Sequence, residues 1–192
     1  VFQRALRAES VFIDVGANFG LYTVKSAARL KAQGRIFAFE PNPWTYSLLK
    51  QTAYANLIHN KANVVISDCL VADRDGDATL HFSMAELGGA SVHRIFSDHL
   101  AGSVTVRAVR LDSFIPRDLV VDLVKIDVEG HEPFVLQGMR EIIARSPNIK
   151  IVMEFFDHFF EGSYGGAFRV QQLIWELGLK IWTIEAGGLL AP

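Results

Sequence analysis

Apolar residues in this chain gather into short runs, and most runs are followed by a stretch with helical spacing. Runs at 11–15, 35–39, 63–67, 120–126, 149–153 and 179–184 are bounded by Gly, Pro, Asn or Asp, the signature of buried strands. Between them, apolar positions three and four apart predict helices over about 21–32, 43–56, 133–145 and 168–177, because that spacing lines one face of a helix. Pro43 and Pro133 fall where a first helical turn accepts proline, and Gly34 and Gly178 where helices end. Residues 3–9 read as the last turns of a further helix. The alternation of strand and helix predicts a three-layer α/β fold, a mostly parallel sheet flanked by helices.

That alternation breaks between 70 and 112. Asp73-Arg-Asp-Gly76 is a turn signal, and 78–82 and 103–109 then show the period of two expected of strands. They predict an antiparallel strand pair inserted between strands three and four, extending the sheet edge or capping it. Residues 84–102 and 155–167 follow no readable period, and acceptor contacts are expected there. The few residues after 184 leave little room for another paired strand.

Composition changes this picture little. A chain of 192 residues fits a single domain over 1–192 with a full core, and 50% hydrophobic with 21% charged residues is ordinary for a globular chain. The formal net charge of −2 gives no electrostatic reason to expect a nucleic-acid partner. No apolar run is long enough to span a bilayer, so no membrane partner is expected. One cysteine, Cys69, rules out an internal disulfide and a multi-cysteine metal site. Nothing at the start reads as a leader, which points to the cytoplasm.

Candidate chemistry begins in the stretch Val-Phe-Ile-Asp-Val-Gly-Ala-Asn-Phe-Gly over 11–20. A strand ending at a glycine turn before a helix exposes unpaired amides, and glycine lets a ligand approach the backbone. Glu40 closes the next strand, where a ribose-bearing ligand has its hydroxyls accepted. A dinucleotide fingerprint would need glycines at 16, 18 and 21, and only Gly16 fits. The stretch instead resembles the first motif of S-adenosylmethionine (SAM) dependent methyltransferases with a Rossmann-like fold. SAM carries an ammonium, suited to Asp14 or nearby carbonyls, and a carboxylate, suited to helix-start amides. The bland alternative is a glycine turn that only packs strand against helix.

The strand ends carry Asp14, Glu40, Asp68, Asp127 and Glu154, and ligands bind outside the carboxyl ends of parallel strands. An acidic rim suits a sulfonium cation and polyhydroxyl acceptors, although any one acid can simply cap the following helix. More specific are Phe39-Glu-Pro-Asn-Pro43, Asp73-Arg-Asp-Gly76, Gly88-Gly-Ala-Ser91, Arg110-Leu-Asp-Ser113 and Lys125-Ile-Asp-Val-Glu-Gly-His-Glu132. Together, from about 11 to 155, they resemble the FkbM family of methyltransferases. That resemblance implies O-methylation of a hydroxyl on a sugar, glycan or secondary metabolite, with SAM as donor. It implies that Asp14, Gly16, Asn18 and Gly20 hold the methionine part of SAM. Glu40, its angle set by Pro41, would accept the ribose hydroxyls, and Asp68 would meet the adenine with Cys69 packed beside it. Asp68 capping a turn is the competing reading.

In-line methyl transfer depends mostly on positioning, and an alcohol acceptor also has to lose a proton. The candidate bases are Asp127, Glu129, His131 and Glu154; Asp127 serves equally well as a partner for the SAM ammonium. His131 has the best ordinary pKa, against the alternative of a solvated first-turn histidine. Lys125 lies within a strand and is expected to be structural. Phe155, Phe156, Phe159 and Phe160 form either an apolar substrate wall or core. No metal is expected, because carboxylates at strand ends are explained without one. The competing functions are a non-catalytic SAM-binding module and a methyltransferase for a nitrogen or nucleic-acid acceptor.

Overall fold

A computed structural model describes residues 2–60, 62–82, 90–91, 102–157, 160–161, 164–184 and 190–191. Five parallel strands form its centre: β1 (Val11–Val15), β2 (Arg35–Phe39), β3 (Asn63–Ser67), β8 (Leu123–Ile126) and β9 (Lys150–Met153). They lie in the order β3-β2-β1-β8-β9, so strand order reverses between β1 and β8. Their side chains alternate between two cores. Val11, Ile13 and Val15 face one side with Phe37, Phe39, Val124 and Ile126; Phe12, Ile36 and Leu123 face the other. Enclosing a side chain such as Phe12 is worth about 1.5–3 kcal/mol.

Helices α1 (Leu21–Ala27) and α2 (Pro43–Ala55) cover the Phe12 side, and their Ala27 and Ala53 enter that core. Asn42 starts α2 by accepting from the Trp44 amide at 3.1 Å. The other face is covered by α3 (Leu111–Phe114), α4 (Glu132–Gln137), α5 (Arg140–Arg145) and α6 (Ala167–Glu176). Among the described residues no helix is long and apolar enough to cross a membrane.

The structure redraws several predicted boundaries. Helix α1 stops at Ala27 because residues 28–31 tighten into turns that carry the Lys31 amide to Ala8 O. The predicted helix 133–145 is two helices. Gly138 sits so close to the Ala72 carbonyl that a Cβ would lie 2.0 Å from its oxygen. Just beyond the break, the buried Asp112 carboxylate accepts from the Glu141 and Ile142 amides and caps α5. The Arg110-Leu-Asp-Ser113 and Asp73-Arg-Asp-Gly76 phrases therefore act structurally, Asp75 also accepting from the Arg110 amide and Ser113 hydroxyl. The predicted sixth sheet strand, 179–184, is not in the sheet. Only Thr183–Ile184 (β10) is extended, and it pairs antiparallel with Leu190–Ala191 (β11), so the chain after 184 does hold a paired strand. Near the start, Phe2–Ala5 is a single 3-10 turn.

The inserted strands neither extend the main sheet nor stand alone as a pair. β5 (Gly76–Phe82) and β7 (Gly102–Val109) are antiparallel over their length. With β4 (Leu70–Val71) and β6 (Ala90–Ser91) they form a second sheet in the order β4-β7-β5-β6. The expected acceptor loop at 84–102 lies outside the described residues except for Ala90, Ser91 and Gly102, as do His158 and Phe159.

Candidate active site

The cleft opens at the carboxyl ends of β1, β2 and β8. Its walls are Val15, Gly16, Asn18, Phe39, Glu40, Pro41, the strip Cys69 to Val71, Leu80 from the second sheet, and residues 127–129. Its cavity volume is about 120 Å³, and it is partly open to solvent.

Local chemistry fixes the turn after β1. Gly16 has φ +73°, and a Cβ there would lie 1.9 Å from the Asp127 carbonyl oxygen. The glycine is thus required by the chain's own contact between the β1 and β8 ends, before any ligand is considered. The amides of Gly16 and Ala17 both donate to Phe39 O, at 3.0 and 2.9 Å, and Asn18 takes positive φ. Gly20, also at positive φ, begins α1 away from the cleft lining.

Glu40 is the best-held side chain of the site. Its Oε2 accepts from the Asn18 amide at 2.8 Å, and its Oε1 accepts from the Asn42 amide at 3.0 Å and the Thr45 hydroxyl at 2.9 Å. Burial pushes its pKa above the usual carboxylate range, against the opposing pull of these donors. Three of its roughly four acceptor positions are taken, and the remaining one is on Oε2.

Opposite Glu40 stands a group of acids. Carboxylate oxygens of Asp127, Glu129 and Glu154 lie within 4.8 Å of one another. Glu129 is held at φ +53° ahead of Gly130, which turns it toward the cleft. Burial, the charge and hydrogen bonding of Asp127, and the charges of Glu129 and Glu132 push Glu154 up to about 7. Glu132 is 1% exposed; its Oε1 accepts from the Val128 amide, and burial raises its pKa as well.

Besides Gly20, four predicted site residues are off the cleft wall: Glu154, which adjoins the lining acids Asp127 and Glu129, and Asp14, Asp68 and His131. Asp14 is 0% exposed and absent from the cleft wall; its Oδ2 accepts from the Thr23 hydroxyl at 2.6 Å. Burial raises its pKa above the usual range, opposed chiefly by Lys125. Its position inside β1, with the side chain on the α1 side, keeps it under the turn. Asp68 is exposed and off the cleft wall, while Cys69, Leu70 and Val71 supply that wall. His131 is buried rather than solvated, stacks on Phe134 with ring centroids 4.7 Å apart, and does not line the cleft. Of the aromatic patch, Phe155 and Phe160 pack together at 5.0 Å against the core, and Phe156 is exposed.

Sequence reasoning passed over two residues. It gives Glu132 no role beyond closing the 125–132 phrase. Lys125 was expected to be structural, and its ammonium ends at the site: 3.8 Å from Asp14, 3.2 Å from Asp127, and donating to the carbonyls of Val15 and Gly16. The available signal was an odd spacing, a lysine two residues before the strand-end acid of an otherwise apolar strand.

Known proteins resemble this chain in sequence and in fold. The profile of the Methyltransferase FkbM domain matches residues 14–180. The hexuronic acid methyltransferase AglP of Haloferax volcanii is 30% identical over 146 residues, 75% of this chain and 55% of that protein. Methyltransferase 1 of Beauveria bassiana is 28% identical over 150 residues, 68% of this chain and 59% of that protein. The chain thus spans a little over half the length of either relative. A precorrin-6y C5,15-methyltransferase from Geobacter metallireducens superposes with a TM-score of 0.52 at 14% identity, covering 96% of this chain and 70% of that one. The O-methyltransferase from Bacillus cereus in complex with SAH superposes with a TM-score of 0.51 at 13% identity, covering 97% and 74%. These likenesses confirm the Rossmann-like methyltransferase architecture, and the profile match places the chain in the FkbM methyltransferase domain family.

Proposed function

We propose that this chain transfers a methyl group from SAM to a hydroxyl of a sugar or a sugar-like small molecule. One observation carries the reading: one cleft is lined by a fixed hydrogen-bond acceptor, Glu40, and by Asp127 and Glu129, whose carboxylates lie within 4.8 Å of that of Glu154 just off the cleft wall. The chain's residues fit SAM on chemical grounds. The free Oε2 position of Glu40 accepts one ribose hydroxyl, fewer than the two expected of it, because the chain's own donors use the rest. Phe39, Cys69, Leu70, Val71 and Leu80 offer a largely apolar wall for adenine. Asp127 and the carbonyls of the Gly16 turn suit the ammonium, a task that the enclosed Asp14 does not perform directly. When bound, SAM supplies an electrophilic methyl group on a sulfonium.

The chain's own contribution is to bind, to orient and to take a proton. Glu154 in its carboxylate form accepts the acceptor hydroxyl's proton, and a base titrating near working pH suits that task. Glu129, turned into the cleft, orients further hydroxyls. The acceptor class draws support from the hexuronic acid methyltransferase relative. Lys125 supplies positive charge beside Asp127. The test is incubation with isotopically labelled SAM and a panel of uronic acids, neutral hexoses, hydroxylated metabolites, amines and nucleic acids, read by mass spectrometry. Label appearing on a sugar oxygen supports the reading, and label confined to nitrogen acceptors refutes it.

A further inference from the structure

The sheet register pairs Asp14 directly with Lys125 across β1 and β8, so both side chains leave the sheet on the α1/α2 side. The lysine then reaches up to the turn that ends β1. Its ammonium therefore serves two acids of different kinds. Asp14 is enclosed and already hydrogen-bonded to Thr23, and the lysine compensates its charge. Asp127 has 42% of its side chain exposed, lines the cleft and adjoins Glu154.

Resting on the function proposed above, we infer that Lys125 is a positioning residue. By pairing with Asp127 it holds the fixed negative charge of the acid group there and leaves the exchangeable proton on Glu154. Acids this close do not all ionise independently near neutral pH, and a cation beside one member decides which keeps the proton. The charges facing Lys125 are Asp14 and Asp127, with Glu40 felt more weakly and the Tyr22 ring 5.7 Å away. Among the described residues, the charges that act on Glu154 are acidic: Asp127, Glu129 and Glu132, and they favour its protonated form. Because the same ammonium also binds the Gly16 carbonyl, the turn that receives the cofactor and the charge that faces it are fixed by one side chain.

The test is a carboxyl-carbon NMR titration of protein labelled at Asp and Glu, over about pH 5 to 9, a range that brackets the expected neutral step. D127N and E154Q spectra assign the two signals. In the unmodified protein Glu154 should show the neutral step and Asp127 none. In K125M, Asp127 should share the step, and the midpoint should rise by about one pH unit, the effect of losing a neighbouring opposite charge. Since K125M leaves Asp14 uncompensated, D14N/K125M provides a second variant with the same expectation and a better prospect of folding. A neutral step on Asp127 in the unmodified protein overturns the inference. So does an unchanged titration of both acids in either folded lysine variant. No acceptor is needed for any of these measurements. Calorimetry of the unmodified protein with S-adenosylhomocysteine reports separately on the proposed function: absence of binding removes that reading, while the titration still decides the role of Lys125.

Discussion

Glu40 and Glu154 invite comparison. Each follows directly on a parallel strand of the same sheet, and each has its pKa raised by burial first; Glu40 lines the cleft, whereas Glu154 stands behind the lining acids Asp127 and Glu129. Their surroundings then diverge. Glu40 is bound by two amides and a hydroxyl, so its oxygens point in fixed directions. Glu154 is surrounded by the charges of Asp127, Glu129 and Glu132, which favour its protonated form. The same residue type after two strands of one sheet thus becomes an immobile acceptor in one case and, under the proposed function, a proton carrier in the other. Donors and charges in the surrounding loops make the difference.

The comparison breaks most completely if the contact between its two halves is removed. Gly16→Val would drive a Cβ into the Asp127 carbonyl at a positive φ. It should lower unfolding free energy by about 3 kcal/mol or more and abolish S-adenosylhomocysteine binding, as read by denaturant melts and calorimetry. On the proton side, E154Q should lower kcat by about 10²–10⁴-fold with cofactor affinity nearly unchanged. The parent rate should rise with pH through a midpoint of about 7, because the carboxylate form is the active base. A pH profile that survives in E154Q would assign the base elsewhere. On the acceptor side, Glu40→Ala should weaken cofactor binding by about 1–3 kcal/mol and leave the pH midpoint in place. Calorimetry showing parental affinity would refute the role of Glu40.

The smallest effect is on stability. Glu154 binds its proton more tightly folded than unfolded, where its ordinary value is 4.5. Its protonated-state contribution is therefore complete below 4.5 and is lost as pH rises through about 7. Tm should fall across that window, and in E154Q the fall should be shallower.

Much of this arrangement was legible in the residues because it depends on local pattern. The runs at 11–15, 35–39 and 63–67 are strands with those bounds, and the Asp127-Val-Glu-Gly turn and Glu40 stand at the cleft. What was missed depends on contacts distant in sequence. The break between α4 and α5 comes from Ala72 approaching Gly138, and its cap comes from Asp112. The spacing at 133–145 records neither. His131 read as a candidate base or a solvated first-turn histidine, yet it is buried off the cleft wall with Phe134 stacked on its ring. Asp14 looked available because it lies near a strand end, and one residue of alternation turns it inward. Strand β10 had the right apolar composition, but it pairs with β11 instead of the edge of the main sheet.

The cross-strand partnership of Asp14 and Lys125 also bears on how the chain finds its fold. If β8 slid by one residue along β1, these side chains would emerge on opposite faces of the sheet. Each would then be enclosed by hydrocarbon without its counter-ion, at a cost of several kcal/mol apiece. The two charges thus proofread the central strand alignment during folding. A D14N/K125M chain, freed from that check, should refold with additional slow phases from misaligned forms.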